Sequence, residues 1–360
     1  MTDKQSNNSV IRILDASINR AGEGLRVVED YVRMVLGDSH LATELKQLRH
    51  DLTESVSSID STERMAARDS IDDVGRTIAT ESEYRREDAG SVSAPSGGML
   101  QANFARAQQA FRTIEEFSKT IDISIAKPVE QLRYRAYTLE KAVLTTVVSL
   151  QNFTDAKLYS LINSCELRSD DGQGLSSLVK QLVDSNVGII QLRDKSLTDR
   201  ELVQAGKLIS GLTRGSKTRF IMNDRADLAV ASNADGVHLG QDDLKVSDAR
   251  RLVGAARMIG VSTHSIEQAR AAVLAGANYI GVGPVFESTT KSFDSHVGLA
   301  LVAQVANEIQ LPAFAIGGIN LQNVSQIVQA GMSRVAVGAA IAGSEDVKES
   351  ALSFKRLLES

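Results

Sequence analysis

The sequence lacks the features that would direct it to a membrane, to an oxidising compartment or to nucleic acid. Cys165 is the only cysteine among 360 residues, which excludes an internal disulfide and a thiolate metal cluster. The net charge of -5 gives no basic surplus for a nucleic-acid partner. The N-terminus has no apolar stretch of signal-peptide length, and no run of 18 apolar residues occurs anywhere. We therefore expect a cytoplasmic protein with neither a membrane nor a nucleic acid as partner.

The first 150 residues have the apolar spacing of helices and predict an all-α domain. Apolar residues recur there at intervals of three, four and seven. The stretch 57–98 is polar and contains "APSGG", so we expect a loop or short elements in it. Pro128 suits the first turn of a helix. The predicted helical segments cover 14–36, 41–56, 99–121 and 127–150.

An internal repeat runs through this helical half. Shifting the chain by 86 residues superposes one helical segment on another, with six identities. A duplicated helical hairpin, packed as a pseudo-symmetric bundle, explains the repeat, and chance similarity of two amphipathic helices is the alternative. The identical positions are Leu14, Ala16, Arg20, Ala21, Arg26 and Glu29, which match Leu100, Ala102, Arg106, Ala107, Arg112 and Glu115.

From about residue 157 the pattern changes to short apolar runs that alternate with amphipathic segments. Eight such runs can be counted, from "KLYSLI" to "RVAVGAAI". Strand–helix alternation predicts a parallel sheet with crossover helices. Eight units in about 200 residues favour a closed (β/α)8 TIM barrel, and an open doubly wound sheet is the alternative. We thus predict a helical domain at 1–150 and a TIM barrel at 157–360, joined at 151–156.

Charged residues of both signs follow the predicted strands. TIM-barrel enzymes work at the C-terminal ends of their strands, where the loops converge on one rim. Carboxylates there can hold Mg²⁺, while cations share the charge of a phosphate chain. A solvated loop charge is the alternative for each residue taken alone. The cations are Arg193, Lys195 and Lys291, and the carboxylates are Asp224 and Asp243.

Glycines and hydroxyls predict a second anion site. "AIGGIN" and "AVGAAI" close the last two strands, which is where this fold commonly binds phosphate. Glycine lets backbone N–H groups approach a phosphate, although a tight turn explains a glycine pair equally well. Hydroxyls at 288–290 can donate to phosphate oxygens, and Lys291 adds charge. Two anion sites imply two phosphorylated small molecules or one long one.

Six motifs in this half resemble one known family. They are "QLRDK", "ND", "DGVHLGQDDL", "GVSTHS", "YIGVGPVFESTTK" and "AIGGI", in this order between 157 and 350. Their order and spacing resemble the thiamine-phosphate synthases (thiamine-phosphate pyrophosphorylases). The resemblance implies a transferase that joins an aminopyrimidine methyl diphosphate to a thiazole phosphate, which gives thiamine phosphate and pyrophosphate.

The resemblance also implies roles for individual residues. Asp243 is chosen over Asp242 by motif spacing, and either remains a candidate. Ala339 stands where the family often has Ser, so a backbone N–H would replace one hydroxyl. The pyrimidine diphosphate would contact Gln191, Leu192, Arg193, Asp194, Lys195, Asn223, Lys291 and, at the pyrimidine end, Ser262; Mg²⁺ would bind Asp224 and Asp243; the thiazole phosphate would contact Ser288, Thr289, Thr290, Gly318, Gly338 and Ala339.

The implied mechanism is dissociative. Mg²⁺ and the cations would stabilise the departing diphosphate, and the thiazole nitrogen would capture the pyrimidine methylene cation, so the protein mainly positions and neutralises. The catalytic residues would be Arg193, Lys195, Lys291 and Ser262. Cys165 is then a structural thiol, and His264 is as well explained by a structural role as by a general base. The alternative is a thiazole tautomerase-like barrel, which needs neither the metal carboxylates nor the "QLRDK" cations.

The helical half contains no phosphate-binding loop and no dinucleotide fingerprint. Its arginines and carboxylates could pair on helix faces in a scaffold or dimerisation bundle, and a regulatory domain that hands on substrate is a second reading. A third comes from resemblance, because "NRAGEGLRVVEDYVR" and "LKQLRHDL" look like a domain fused to these synthases and associated with phosphorylation of the pyrimidine monophosphate. ATP would then be a further partner, and a homo-oligomer stays open. The candidate phosphate ligands are Arg20, Arg26, Arg49, Arg106, Arg112 and Arg133, and the candidate Mg²⁺ or base groups are Glu23, Glu29 and Asp30.

Overall fold

The computed structural model describes residues 3–69, 97–163, 173–287 and 297–359. Its internal contacts divide the chain into two compact units, Met1–Val148 and Ser149–Ser360. Among the described residues, no helix combines the length and the apolar character needed to cross a bilayer.

The N-terminal unit is helical, as predicted. The short helix α3 lies within the polar stretch for which we expected a loop or short elements. Asp38 begins α2 as an N-cap, because its side chain accepts a hydrogen bond from the Leu41 N–H at 2.8 Å. The helices are α1 (Asp3–Tyr31), a π-helical turn (Val32–Leu36), α2 (Ser39–Ser55), α3 (Ser61–Ala67), α4 (Gly97–Ser118), a 3₁₀ turn (Ile123–Ile125) and α5 (Ala126–Asn152).

The two repeated segments, α1 and α4, pack against each other through small residues. Ala21 and its repeat equivalent Ala107 are fully buried. A Cβ atom placed on Gly24 would lie 2.8 Å from the carbonyl oxygen of Asn103, so glycine is needed for the close approach. Gly22, two residues earlier, has nothing within 4 Å of such an atom. Of the two glycines in "RAGEGL", only Gly24 is therefore a packing point.

The C-terminal unit is a closed barrel of eight parallel strands in chain order, which confirms the predicted TIM barrel. The strands are β1 (Leu158–Ile162), β2 (Ile189–Leu192), β3 (Arg219–Asn223), β4 (Gly236–Leu239), β5 (Met258–Thr263), β6 (Tyr279–Val282), β7 (Ala313–Ile316) and β8 (Val335–Val337). The helices are α6 (Gln173–Asp184), α7 (Asp199–Thr213), α8 (Ala226–Ala231), α9 (Val246–Val253), α10 (Ile266–Ala275), α11 (Gly298–Glu308), α12 (Val324–Gln329), α13 (Ala339–Ala342) and α14 (Val347–Glu359).

An aromatic cluster fills the barrel interior. Tyr159, Tyr279 and Phe314 meet there with ring centroids 5.4 to 6.0 Å apart. Phe153 joins them, 5.4 Å from Tyr279, and is fully buried. Phe153 lies in the stretch that we expected to be only a joint, so this stretch contributes a side chain to the barrel core.

Candidate active site

Strand alternation brings several polar side chains to the barrel interior. Ile189 and Ile221 belong to the core cluster, so Gln191 and Asn223, two residues further along the same strands, share their inward face. Gln191 is buried, and its Nε2 atom has no hydrogen-bond partner among the residues that the structure describes. A buried amide without a partner is costly in a native fold, which suggests a ligand contact.

Two carboxylates come together at the C-terminal rim. Asp243 lies within hydrogen-bonding reach of Asp224. Burial is the largest cause that raises the pKa of Asp224, to about 6, followed by the hydrogen bond and charge of Asp243. Lys195 and Arg193 act in the opposite direction. The rim therefore holds two carboxylates and two cations close enough to influence one another.

Backbone contacts fix both carboxylates. Asp224 has a φ of +59°, in the left-handed region, and its N–H donates to the carbonyl of His238 at 2.7 Å. Asp243 accepts a hydrogen bond from the Gly240 N–H at 2.6 Å through Oδ2. It is thus Asp243, the residue chosen by motif spacing over Asp242, that approaches Asp224.

The residues of the "QLRDK" motif make different contacts. The Arg193 N–H donates to the carbonyl of Ile162 at 2.9 Å, which extends the β1–β2 pairing to the rim. Asp194 accepts from the N–H groups of Ser196 and Leu197 and so orders the following loop. Leu192 is fully buried and alternates with the inward-facing Gln191, so its side chain faces the helical layer. The side chain of Leu192 consequently does not reach the rim.

Close packing accounts for the glycine pair after β7. Gly317 and Gly318 have φ values of +102° and +63°. A Cβ atom on Gly318 would lie 2.1 Å from the carbonyl oxygen of Glu287, at the end of the segment after β6. A Cβ atom on Gly317 would likewise lie 2.7 Å from Pro284 Cα. Gly338 precedes α13, and a Cβ atom there would lie 3.9 Å from Leu161, so Gly317 and Gly318 are sterically required and Gly338 is not.

Four of the predicted site residues lie outside the described residues, as does Cys165. They are Ser288, Thr289, Thr290 and Lys291. His264 is described, and its Nδ1 atom lies 2.5 Å from the carbonyl oxygen of Gly283. That bond ties the β5 end to the β6 end and agrees with a structural role.

Sequence reasoning missed a buried polar chain beneath the rim. Tyr159 Oη lies 3.1 Å from Tyr279 Oη, which lies 3.1 Å from His238 Nδ1. His238 Nε2 lies 3.0 Å from Ser262 Oγ. Burial lowers the pKa of His238 to about 4, so the ring is neutral at physiological pH. Strand alternation along "GVHLG" and "YIGVG" could have placed these side chains inside.

The repeat in the helical unit extends to its buried carboxylates. Glu29 on α1 pairs with Arg49 on α2 at 2.6 Å, and Glu115 on α4 pairs with Arg133 on α5 at 3.1 Å. Both carboxylate side chains are only about 5% exposed. Arg26 and Arg112 join the two clusters from the helix surface. The arginines that we listed as phosphate candidates therefore include four that already face a carboxylate.

Two families of known proteins match the two units. The profile described as thiamine monophosphate synthase matches residues 160–341, and that of the ThiD2 family matches residues 12–142. The chain is 43% identical to the thiamine-phosphate synthase of Rhodopirellula baltica, over all of this chain and 95% of that one. The chain belongs to the thiamine-phosphate synthase family.

Other members of the family agree with this. The thiamine-phosphate synthase of Nostoc punctiforme is 38% identical over 93% of this chain and 90% of that one. The thiamine phosphate pyrophosphorylase of Pyrococcus furiosus superposes with a TM-score of 0.51 at 30% identity, and covers 57% of this chain and 96% of its own. The prediction of a transferase in thiamine biosynthesis is thereby confirmed. The assignments of individual site residues stay predictions.

Proposed function

We propose that the barrel condenses 4-amino-2-methyl-5-(diphosphomethyl)pyrimidine with 4-methyl-5-(2-phosphoethyl)thiazole, or its carboxylate, at the rim that holds Asp224 and Arg193. The observation that carries this proposal is the meeting of two carboxylates with two cations around one point. Two like-charged carboxylates held side by side form an arrangement that a bound cation stabilises. The donor set of Asp224 and Asp243 fits Mg²⁺, which prefers one or two protein carboxylates together with phosphate oxygens.

When bound, Mg²⁺ would neutralise charge on the diphosphate. Arg193 and Lys195 would bind the diphosphate oxygens and hold the leaving group as its charge develops. Gln191 would place its unpartnered amide against the pyrimidine, together with Asn223 and Ser262. The thiazole phosphate would lie near Gly318, Gly338 and Ala339, so that the thiazole nitrogen faces the methylene carbon.

The full chain, given both substrates and Mg²⁺, should release pyrophosphate and thiamine phosphate in equal amounts. The neighbouring carboxylates provide a matched pair of variants. Asp243→Asn should lower turnover by about 10³-fold, the scale of one lost electrostatic contact in the transition state, whereas Asp242→Asn should stay within about twofold. A thiazole tautomerase would release no pyrophosphate. Equal losses in the two variants would contradict the assignment of Asp243.

For the helical unit we propose phosphorylation of the pyrimidine monophosphate by ATP, so that the two units are separate functional domains of one pathway. The match to the ThiD2 family supports this reading. The guanidinium groups of Arg26 and Arg112 face carboxylates but are each about half exposed, so a phosphate can still reach them. A scaffold is the second candidate, favoured by the carboxylates that already pair with Arg49 and Arg133.

The full chain with Asp243→Asn separates these two readings, because a damaged barrel leaves the helical unit to act alone. With ATP and the pyrimidine monophosphate, a kinase gives ADP and the diphosphate, and Arg26→Ala or Arg112→Ala slows ADP formation. Lys217→Ala is a suitable control, since Lys217 forms an exposed ion pair with Asp155 in the barrel unit. If no more ADP forms with the pyrimidine monophosphate than without it, the kinase proposal is wrong and the helical unit is a scaffold.

A further inference from the structure

The buried chain from Tyr159 to Ser262 crosses the barrel interior and ends at a residue of the proposed site. Its four members come from β1, β6, β4 and β5, so one hydrogen-bonded path links half of the strands. Tyr159 and Tyr279 are at most 2% exposed. Gln241 also donates to the carbonyl of Ser262 through Nε2, which fixes the backbone of that residue.

Gly260 makes room for this chain, and Gly281 lies in contact distance of it. A Cβ atom on Gly260 would lie 2.1 Å from the ring of Tyr279, and one on Gly281 would lie 3.4 Å from Cε1 of His238. Any side chain at position 260 would therefore displace the Tyr279 ring. The barrel gives up a side chain at position 260 to hold the Tyr279 ring, which argues for a purpose beyond filling the core.

The chain can carry its protons in two directions, because a neutral imidazole has one N–H and one free lone pair. In the first direction Tyr159 donates to Tyr279, Tyr279 donates to His238 Nδ1, and His238 Nε2–H donates to Ser262. In the second direction every bond is reversed. In the first direction Tyr159 donates its O–H within the chain and Ser262 keeps its own O–H for another acceptor. In the second direction Ser262 donates within the chain and Tyr159 keeps its O–H.

The surroundings of Tyr159 select the first direction. Among the described residues, the Tyr159 hydroxyl has one hydrogen-bond partner, Tyr279 Oη, and Tyr159 belongs to a buried core cluster that includes the apolar side chains of Phe314 and Ile189. In the reversed direction the Tyr159 O–H would be buried without an acceptor. In the first direction only a lone pair lacks a partner, and unpaired buried acceptors are better tolerated than unpaired donors.

We propose that His238 is a positioning residue: Tyr279 and Tyr159 hold it as the Nε2–H tautomer, and it makes the Ser262 hydroxyl a hydrogen-bond donor toward the substrate. Since Ser262 Oγ accepts from His238, its own O–H is free to point into the site. Ser262 accordingly favours a substrate atom with a lone pair, as a pyrimidine ring nitrogen has. This consequence rests on the proposed function, whereas the tautomer does not.

The tautomer can be measured on the substrate-free full chain. With ¹⁵N-labelled histidine, the ring nitrogens of His238 are identified by their disappearance in His238→Gln. We expect a protonated Nε2 and an unprotonated Nδ1. A proton on Nδ1, or on both nitrogens, would overturn the proposal. Because this measurement needs no turnover, it stands even if the synthase assay fails, and the two failures are distinguishable.

The kinetic arm tests whether His238 acts through Ser262. Tyr279→Phe should lower kcat/KM about tenfold, the scale of one lost hydrogen bond. Combined with Ser262→Ala, it should lower kcat/KM no further than Ser262→Ala does alone, because both changes remove one coupled function. Losses that multiply would show a merely structural role. Thr213→Val is the matched control, since the hydrogen bonds of that buried hydroxyl to described residues stay within its own helix.

A second pair of variants covers the case in which Tyr279→Phe does not fold. His238→Gln keeps an N–H group able to reach Ser262, whereas His238→Leu has none. We expect at least tenfold more activity in His238→Gln than in His238→Leu, at equal thermal stability. Equal activities of the two would also overturn the proposal.

Discussion

The carboxylates of the two units have neighbours of opposite charge. In the helical unit, Glu29 and Glu115 are buried, and each lies directly against an arginine of the next helix. At the barrel rim, Asp224 lies against another carboxylate, and its burial together with that neighbour raises its pKa. The helical pairs neutralise their charge inside the fold, while the rim pair leaves negative charge for something outside it. We therefore distinguish the structural carboxylates of the helical unit from the rim carboxylates, which we propose bind a ligand.

The largest expected effect is a loss of activity when a carboxylate at the barrel rim is replaced. Asp224→Asn keeps the size of the side chain and tolerates the left-handed backbone at +59°, which Asn adopts readily. It removes one of the two proposed metal ligands, so kcat/KM for pyrophosphate release should fall by about 10³-fold while the protein stays folded. Circular dichroism and a pyrophosphate assay together check this.

Asp199→Asn serves as the control for that prediction, because Asp199 pairs with Arg225 on the exposed side of the rim loops. Its activity should remain within about twofold of the original. If Asp224→Asn were equally active, the rim carboxylates would resemble the helical ones in being structural, and the contrast between the units would disappear.

The second prediction tests whether the buried ion pairs of the helical unit are structural. Glu115→Ala leaves the guanidinium of Arg133, itself only 12% exposed, without its carboxylate. Removing one partner of a buried ion pair costs about 3 kcal/mol, so the denaturant midpoint of the helical unit should fall clearly. Glu116→Ala is the matched control, since Glu116 is 43% exposed and such pairs contribute below about 1 kcal/mol. Equal midpoints for the two variants would refute a structural role for the buried pair.

How far the sequence predicts this structure depends on whether the signal is local. Apolar periodicity predicted both units. The motifs "QLRDK" and "GQDD" follow predicted strands and so indicated charges of both signs at the rim, while the roles of these residues stay predictions. The polar chain was not predicted, because Tyr159, His238 and Tyr279 are far apart in the sequence and each reads as an ordinary core residue. The role of Phe153 was missed for the same reason: its burial depends on barrel closure and not on its neighbours in "QNFTDA".

The glycines give a third and smaller test within a single helix. Gly24→Ala would bring a Cβ atom to 2.8 Å from the Asn103 carbonyl and force α1 and α4 apart, at a cost of about 2 kcal/mol. Gly22→Ala meets no atom within 4 Å and should stabilise the helical unit by about 0.5 to 1 kcal/mol through helix propensity. Thermal unfolding of both variants measures the difference. The same sign for both would mean that the close approach of α1 and α4 does not limit the packing.

The smallest expected effect concerns pH and the rim carboxylates. In the folded chain Asp224 has a pKa of about 6, against an ordinary pKa of 3.8 in the unfolded chain, so the folded state holds its proton more tightly. Stability from this group is therefore complete below pH 3.8 and is lost as the pH rises through 6. Because Asp224 is only half buried, solvent screening limits the loss to about 1 kcal/mol or less.

Asp224→Asn cannot titrate, so it isolates this contribution from that of His238, whose depressed pKa acts in the opposite direction and is present in both proteins. Without added metal, the Tm of Asp224→Asn relative to the original chain should rise by a few degrees or less between pH 4 and 7 and then level off. Added Mg²⁺ with pyrophosphate should raise the Tm of the original chain alone at pH 7.5. A Tm difference that is flat between pH 4 and 7 would mean that the rim carboxylates are as well compensated as Glu29 and Glu115, and that no ligand is needed to explain them.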